Sequence, residues 1–113
     1  MHEVSLVDAL LDAVRERAGA ARVERIRVRH ATTIPEEVLR QSFELLTQGD
    51  PLASATLEVE PFEVLLTCPC GFHGALGHDD VVGPTMAVCP SCGELRDTPR
   101  TAELELLEVR TGP

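Results

Sequence analysis

The sequence predicts an α/β fold in which two helices pack on a small three-stranded mixed sheet that is interrupted by an inserted module. Two segments repeat apolar residues at helical spacing, and three others alternate apolar and charged residues as half-buried strands do. Periodicity then stops between Pro61 and about Pro99, a stretch that contains all four cysteines. The expected order is helix, strand, helix, strand, module, strand.

Composition indicates one compact domain with a small appended module, because the chain has 113 residues. Hydrophobic residues make up 43% but aromatic residues only 3%, so the core must be mainly aliphatic. The 19 acidic residues outnumber the 10 basic ones and give a net charge of -9. Phosphate contacts need clustered lysine and arginine, so this charge argues against binding to nucleic acid.

The cellular location follows from two missing sequence signals. The sequence contains no run of about 18 apolar residues, so we expect no membrane span. Its N-terminus has no basic segment followed by an apolar run, so we expect no secretory signal. We therefore expect a cytoplasmic protein without membrane contact, in which the thiols stay reduced and are available to a metal ion.

Both helices have recognisable ends. The first is expected over residues 6–18, with Ser5 as its N-cap. The second is expected to have Thr33 as its N-cap, Pro35 in its first turn and Gly49 as its stop. The apolar stripes that should face the core are Val4, Val7, Leu10, Leu11, Val14 and Ala18 in the first helix and Val38, Leu39, Ser42, Phe43 and Leu46 in the second.

Three strands are expected, over residues 23–30, 56–60 and 103–110. The apolar pattern of the last one shifts at Leu107, which predicts a bulge or burial of both faces. On the solvated face of the sheet we expect Arg25, Arg27 and Arg29 to lie near Glu58, Glu60, Glu103 and Glu105. This organisation predicts an α/β domain made of residues 1–60 and 100–113 and a separate module over residues 61–99.

The module contains two cysteine pairs of the kind that bind a metal ion. Cys89 and Cys92 have the two-residue spacing of a zinc knuckle, whereas Cys68 and Cys70 are separated by one residue. A tetrahedral thiolate cage suits zinc, and four protein ligands leave no open position for catalysis. The sequence thus favours a structural zinc site in a rubredoxin- or ribbon-like module, with His73 left open as a substitute for one cysteine.

The other histidines have simpler expected roles. His30 is expected at the end of its strand or on the sheet surface. His78 precedes Asp79 and Asp80, and we expect it in a solvated loop, with an accessory cation site as the weaker alternative.

The N-terminal residues Met1, His2 and Glu3 form a second candidate metal site. The terminal amine, the backbone nitrogen of His2 and a ring nitrogen of His2 can form fused chelate rings in one plane. Planar nitrogen donors favour nickel(II) or copper(II). The fourth donor is open: Glu3 and a second molecule are both candidates.

Several short motifs occur in a specific order along the chain. They are Met1-His2-Glu3-Val4-Ser5-Leu6, Leu39-Arg40-Gln41-Ser42-Phe43-Glu44, Ala55-Thr56-Leu57-Glu58-Val59-Glu60, the two cysteine pairs and the closing strand. In this order the whole chain resembles the HypA/HybF family of hydrogenase nickel-insertion proteins. It departs from the family pattern in the one-residue spacing of its first cysteine pair and in ending its first strand with Arg29-His30-Ala31, where a glycine turn is usual.

The resemblance implies a metallochaperone rather than an enzyme. It implies that nickel binds through Met1, His2 and Glu3 as transient cargo, and that zinc is structural. It also implies delivery to the large subunit of a nickel-iron hydrogenase together with a HypB-type GTPase, and in some members service to urease. We expect a monomer or a weak homodimer.

Three other functions are compatible with a zinc module. A nucleic-acid-binding zinc ribbon is disfavoured by the net charge. A zinc hydrolase needs an open ligand position and a general base. A zinc-stabilised protein-interaction adaptor without nickel transfer is the main alternative.

Overall fold

The computed structural model describes residues 2–83, 85–98 and 103–112, and the side chains from Val4 onward. Within these residues the helices are α1 (His2–Ala18) and α2 (Glu36–Leu46), and the strands are β1 (Arg22–Ala31), β2 (Thr56–Phe62), β3 (Leu65–Thr67), β4 (His73–Ala75), β5 (Met86–Val88), β6 (Leu95–Asp97) and β7 (Leu104–Gly112). Short 3-10 helices cover Pro51–Ser54 and His78–Asp80. In this part of the chain no helix combines the length and apolarity that a bilayer crossing requires.

The predicted three-stranded mixed sheet is confirmed. β1 is the central strand, with β2 parallel on one side and β7 antiparallel on the other. The helix α2 connects the two parallel strands, as a parallel pair requires. The pattern shift in the last strand is a bulge: Arg27 pairs with Glu108 but Val28 pairs with Leu106, so Leu107 is the extra residue.

The strands are longer than the sequence suggested. β1 gains one residue at each end and β2 continues to Phe62, two residues past the predicted end at Glu60. Pro61 therefore lies within β2, paired in register with His30. Proline donates no backbone hydrogen bond, but β2 is an edge strand, where proline is tolerated.

The helices cover one face of the sheet and bury an aliphatic core. The predicted inward residues of β1, Ile26 and Val28, are fully buried. The remaining members of this cluster are Val7, Leu10, Leu11, Val14, Val23, Ile34, Leu39, Phe43, Leu52 and Leu57. Phe43 is the one aromatic residue in it, which agrees with the low aromatic content of the sequence.

The opposite face of the sheet carries the expected ion pairs. They join Arg25 to Glu58 at 3.2 Å, Arg27 to Glu60 at 2.6 Å and Arg29 to Glu105 at 3.8 Å. Glu103 enters the sheet through its main chain, where its carbonyl accepts a hydrogen bond from Ala31 at 2.8 Å. These exposed pairs each stabilise the fold by only about 0–1 kcal/mol.

Both predicted helix caps are wrong. α1 begins at His2, so Ser5 lies inside the helix, because the apolar stripe already starts at the half-buried Val4. Pro35 takes the N-cap position of α2 with an extended backbone and no side-chain cap. Thr33 is buried in the turn before it, two residues too early to cap the helix.

The chain directions give the sheet two distinct ends. Arg15, in the last turn of α1, lies 3.0 Å from Asp50, which follows α2, so the carboxyl ends of both helices meet where β1 begins. The other end consequently gathers the start of α1, the end of β1, the start of α2 and the end of β2. The cysteine-bearing module leaves the sheet from this second end.

The module is built from two short hairpins. β3 pairs with β4, and β5 pairs with β6, both antiparallel. A second, smaller buried cluster lies here, made of Leu66, Cys68, Leu76, Ala87 and Cys89. Its cysteines are therefore part of the core that they help to form.

Candidate metal centres

The structure brings the sulfur atoms of all four cysteines together. The Sγ atoms of Cys68, Cys70, Cys89 and Cys92 all lie within 4.8 Å of one another. Each hairpin contributes one pair, and two close contacts cross between hairpins: 3.7 Å from Cys68 to Cys92 and 3.7 Å from Cys70 to Cys89. The site therefore joins the two hairpins.

The turns of the hairpins place these sulfurs. In the first turn the amide of Gly71 donates to the carbonyl of Cys68 at 3.0 Å, and in the second the amide of Gly93 donates to Cys89 at 2.9 Å. Both glycines have positive φ, +104° and +78°, a region that side chains disfavour. The closing bond spans three residues in the first turn and four in the second, so the first turn is one residue shorter, which matches its shorter cysteine spacing.

The sulfur geometry fits a tetrahedral zinc ion. Zinc–thiolate bonds are about 2.3 Å long, so neighbouring sulfurs in a regular tetrahedron lie about 3.8 Å apart. The observed 3.7 Å is close to that value and much longer than the bond of about 2.05 Å that a disulfide requires. Four thiolates also form a closed donor set that zinc prefers and that leaves no position for a substrate.

The surroundings favour thiolate at Cys68 and Cys89, whereas at Cys70 the amide of Phe72 is outweighed by burial and the neighbouring thiols, which raise the pKa of that thiol to about 11. The backbone amide of Cys70 is the main cause that lowers the pKa of the Cys68 thiol to about 6, although burial opposes it, and Arg96 adds a hydrogen bond from Nε to Sγ at 3.3 Å. For Cys89, burial acts to raise the pKa, but the amides of Cys92 and Ser91 and the nearby thiols outweigh it and the pKa is lowered. Deprotonated sulfur is the form that binds a metal.

The substitute ligand left open by the sequence lies outside this cluster. Among the described residues, the group of candidate ligand atoms consists of the four sulfurs and does not include His73. The Nδ1 atom of His73 instead lies 2.8 Å from the hydroxyl of Thr67, on the neighbouring strand. The geometry therefore favours the four-cysteine set.

Of the other two histidines, one agrees with the expectation. His78 is exposed as expected, and its Nδ1 also donates to the carbonyl of Thr33 at 2.8 Å, which links the module to the loop before α2. His30 is not on the surface, because it is only 3% exposed. It alternates with Ile26 and Val28 on the inward face of β1, and this period-two pattern is the sequence signal that identifies it.

The N-terminal candidate site is only partly within the described residues. Met1 lies outside them, and the backbone of His2 and Glu3 forms the first turn of α1. The first four amides of a helix have no partner within the helix, so the backbone nitrogen of His2 is not bound to another turn of α1. The side chains of His2 and Glu3 lie outside the described part of the chain.

The fold and the cysteine site together define a small α/β protein with an appended four-cysteine metal-binding module. The family model described as "Hydrogenase/urease nickel incorporation, metallochaperone, hypA" matches residues 1–111. The chain belongs to this HypA family, as its motif order predicted.

Named relatives agree with this assignment. The chain is 32% identical over 117 residues to the hydrogenase maturation factor HypA of Syntrophus aciditrophicus, with 96% of this chain and 97% of the relative covered. It is 30% identical over 122 residues to the factor of the same name from Chloroflexus aurantiacus, covering 98% and 99%. The solution structure of the Ni metallochaperone HypA from Helicobacter pylori is similar in fold, with a TM-score of 0.57, 22% identity and 96% of each chain covered.

Proposed function

We propose that this protein binds nickel(II) at its N-terminus and delivers it during the maturation of a nickel-iron hydrogenase. The observation that carries the proposal is the match to the nickel-incorporation family over residues 1–111, a range that includes Met1, His2 and Glu3. A terminal amine and the two nitrogens of His2 supply three planar donors, which suit nickel(II). The candidates for the fourth donor are the backbone nitrogen or the carboxylate of Glu3 and a second molecule.

The four-cysteine site holds a structural zinc ion in this proposal. Cys68, Cys70, Cys89 and Cys92 would be its ligands, and the 3.7 Å sulfur contacts between hairpins support that set. Zinc would supply folding free energy to a segment with few apolar residues of its own. The two separate buried clusters support the proposed division of the chain into residues 1–60 with 100–113 for nickel and residues 61–99 for zinc.

The nickel is cargo, so the protein acts without catalysing a reaction. A terminal site with few side chains suits a carrier, because ordering the chain end limits the affinity and allows release. The proposed recipients are the large subunit of the hydrogenase, in concert with a HypB-type GTPase, and a urease where the cell has one. The proposed carrier is cytoplasmic and is a monomer or a weak homodimer.

Metal analysis of the His2→Ala variant tests the nickel site. We expect the variant to lose nickel binding while it keeps one zinc per chain, because the substitution removes the ring nitrogen that closes the proposed fused chelate and removes none of the zinc ligands. His73→Ala is the matched control, since it removes an exposed imidazole near the cysteines and should keep both metals. The protein must begin with a free Met1, because a tag converts the amine to an amide.

Retention of nickel by His2→Ala would contradict the proposed donors. Failure of the unmodified protein to take up nickel would contradict the carrier function itself. That second outcome would leave the alternative, a zinc-stabilised adaptor for protein interactions.

A further inference from the structure

The cysteine-bearing module is joined to the sheet by a short connection. Two residues separate the end of β2 from the start of β3. Phe62 still belongs to the sheet side, because its carbonyl accepts a hydrogen bond from Thr32 at 2.8 Å. Val64 already belongs to the module, because its carbonyl accepts from Leu76 at 2.9 Å. The exposed Glu63 between them is therefore the hinge position of this connection.

Packing does little to fix the module relative to the α/β domain. Among the described elements, extensive packing joins β1 to β2 and β7, α1 to α2 and β7, and the two strands within each hairpin. The two buried clusters have no residue in common. The molecule measures 55 × 21 × 19 Å, an elongated shape that agrees with attachment of the module at one end. The orientation of the module therefore depends on contacts close to the connection.

The hydrogen bond of His78 crosses between these two parts. Its Nδ1 lies 2.8 Å from the carbonyl oxygen of Thr33. A carbonyl oxygen can only accept, so Nδ1 carries the hydrogen. Within the described ranges, no other hydrogen bond or ion pair joins residues 64–98 to the helices or to the three-stranded sheet. The bond thus adds a second point of attachment beside the connection at Glu63.

The acceptor of this bond is held rigidly in the α/β domain. Thr33 lies in the β1–α2 turn, residues 31–34, and is 5% exposed. The amide of Ile34 donates to the carbonyl of Ala31 at 2.9 Å and closes the turn. Nδ1 of the buried His30 lies 3.1 Å and 3.2 Å from the carbonyl oxygens of Ala31 and Ile34. The turn is therefore fixed to the strand that forms the centre of the sheet.

The donor is held equally well in the module. His78 begins the 3-10 helix His78–Asp80, and the carboxylate of Asp80 accepts a hydrogen bond from the amide of Gly77 at 2.7 Å. Leu76, two residues before His78, is buried in the module's own cluster. Because both partners are anchored, the bond resists rotation of the module about Glu63.

We propose that the hydrogen bond from His78 to Thr33 is a latch that holds the module in one orientation on the α/β domain, and that the module turns about Glu63 when this bond opens. The inference goes beyond the proposed function and does not depend on nickel binding. The net contribution of one hydrogen bond corresponds to about a twofold to thirteenfold preference for the latched orientation. A preference of this size favours one orientation without locking it.

The test compares the zinc-bound variants His78→Leu and His78→Asn. Leucine removes the donor, whereas the side-chain amide of asparagine places an N–H near the position of Nδ1 and should retain the bond. His73→Leu is the matched control, because His73 is also an exposed histidine of the module but contacts Thr67 of its own hairpin. Residual dipolar couplings of the backbone amides report how the two parts are oriented.

In the unmodified protein, in His78→Asn and in His73→Leu, we expect the couplings of both parts to fit one alignment tensor. In His78→Leu the module should need a separate tensor of reduced magnitude, because its orientation is averaged. Zinc content and hydrogen-exchange protection of β3 to β6 should not change. A common tensor in His78→Leu, separate tensors in the unmodified protein, or loss of zinc from His78→Leu would each overturn the inference.

A second measurement needs no substitution. In alkaline buffer, where imidazoles are neutral, nitrogen-15 shifts show which ring nitrogen carries the hydrogen. We expect His78 to be protonated at Nδ1 and unprotonated at Nε2, because Nδ1 faces a carbonyl oxygen. The opposite tautomer would leave two acceptors facing each other and would overturn the latch.

Discussion

Among the described residues, Arg96 is a basic side chain that hydrogen-bonds directly to the four-cysteine site. Its Nε donates to Sγ of Cys68 at 3.3 Å, and the sulfur raises the pKa of the guanidinium in return. Four thiolates around one Zn²⁺ carry a net charge of -2, so a cation bonded to one of the sulfurs offsets part of the excess. Arg96 is therefore expected to act as a positioning residue for Cys68, a ligand of the proposed zinc.

Replacing Arg96 should weaken zinc binding without destroying it. We expect Arg96→Ala to lower zinc affinity about tenfold to a hundredfold, the usual effect of losing an outer-shell partner. Arg96→Lys keeps the charge but not the planar donor, so its zinc affinity should lie between those of the unmodified protein and Arg96→Ala. Competition with a chelator measures the affinity, and Arg22→Ala, an exposed arginine of β1, serves as the control. Equal zinc affinity in all four proteins would contradict the role of Arg96.

At the scale of the element, the hairpin turns depend on glycine. Gly93 has φ of +78° and its amide donates to Cys89, so the second turn needs a backbone conformation that other residues rarely adopt. Gly83 has no positive φ and nothing within 4 Å of an added Cβ. An alanine at Gly93 therefore adds a methyl group and backbone strain, whereas an alanine at Gly83 adds only the methyl group.

The Gly93→Ala variant should be less stable than Gly83→Ala. We expect a loss of about 1–2 kcal/mol for Gly93→Ala, the cost of a left-handed conformation, and little change for Gly83→Ala. Denaturant unfolding of the zinc-bound proteins gives both values. Equal stabilities of the two variants would show that the turn conformation costs nothing.

At the scale of the whole molecule, the two buried clusters differ in what holds them together. The α/β cluster contains 12 buried residues, none of them a cysteine. The module's cluster is Leu66, Cys68, Leu76, Ala87 and Cys89, so two of its five buried members are sulfur ligands of the proposed zinc. Such a small core rarely folds without a metal or disulfide.

Zinc removal should therefore unfold the module and leave the α/β domain folded. After treatment with a strong chelator, we expect backbone amides of β3 to β6 to lose protection from hydrogen exchange, while those of β1 keep theirs. Restoring zinc should restore the protection of the module. Simultaneous loss of protection in both parts would contradict two independent cores.

Local signals predicted most of the fold because they depend on neighbours in sequence. The alternation in β1 predicted the buried Ile26 and Val28 and the arginines on the opposite, half-exposed face, and the shift at Leu107 predicted a bulge. Local signals failed at Ser5 and Thr33, which have side chains suited to helix caps. Ser5 lies inside α1, which begins at His2, and Thr33 lies two residues before the N-cap of α2. Pro61 likewise suggested a strand end, yet an edge strand accepts it.

The sequence by itself determined the order of helices and strands, the two cysteine pairs and membership of the HypA family, since each of these is written in residue spacing and motif order. Only the tertiary structure decided that four sulfurs meet, that Arg96 touches Cys68, and that the Nε2 atom of the buried His30 has no hydrogen-bond partner among the residues described. The physical reason is that these relations join residues far apart in the chain. Their distances depend on how hairpins, strands and helices pack against one another.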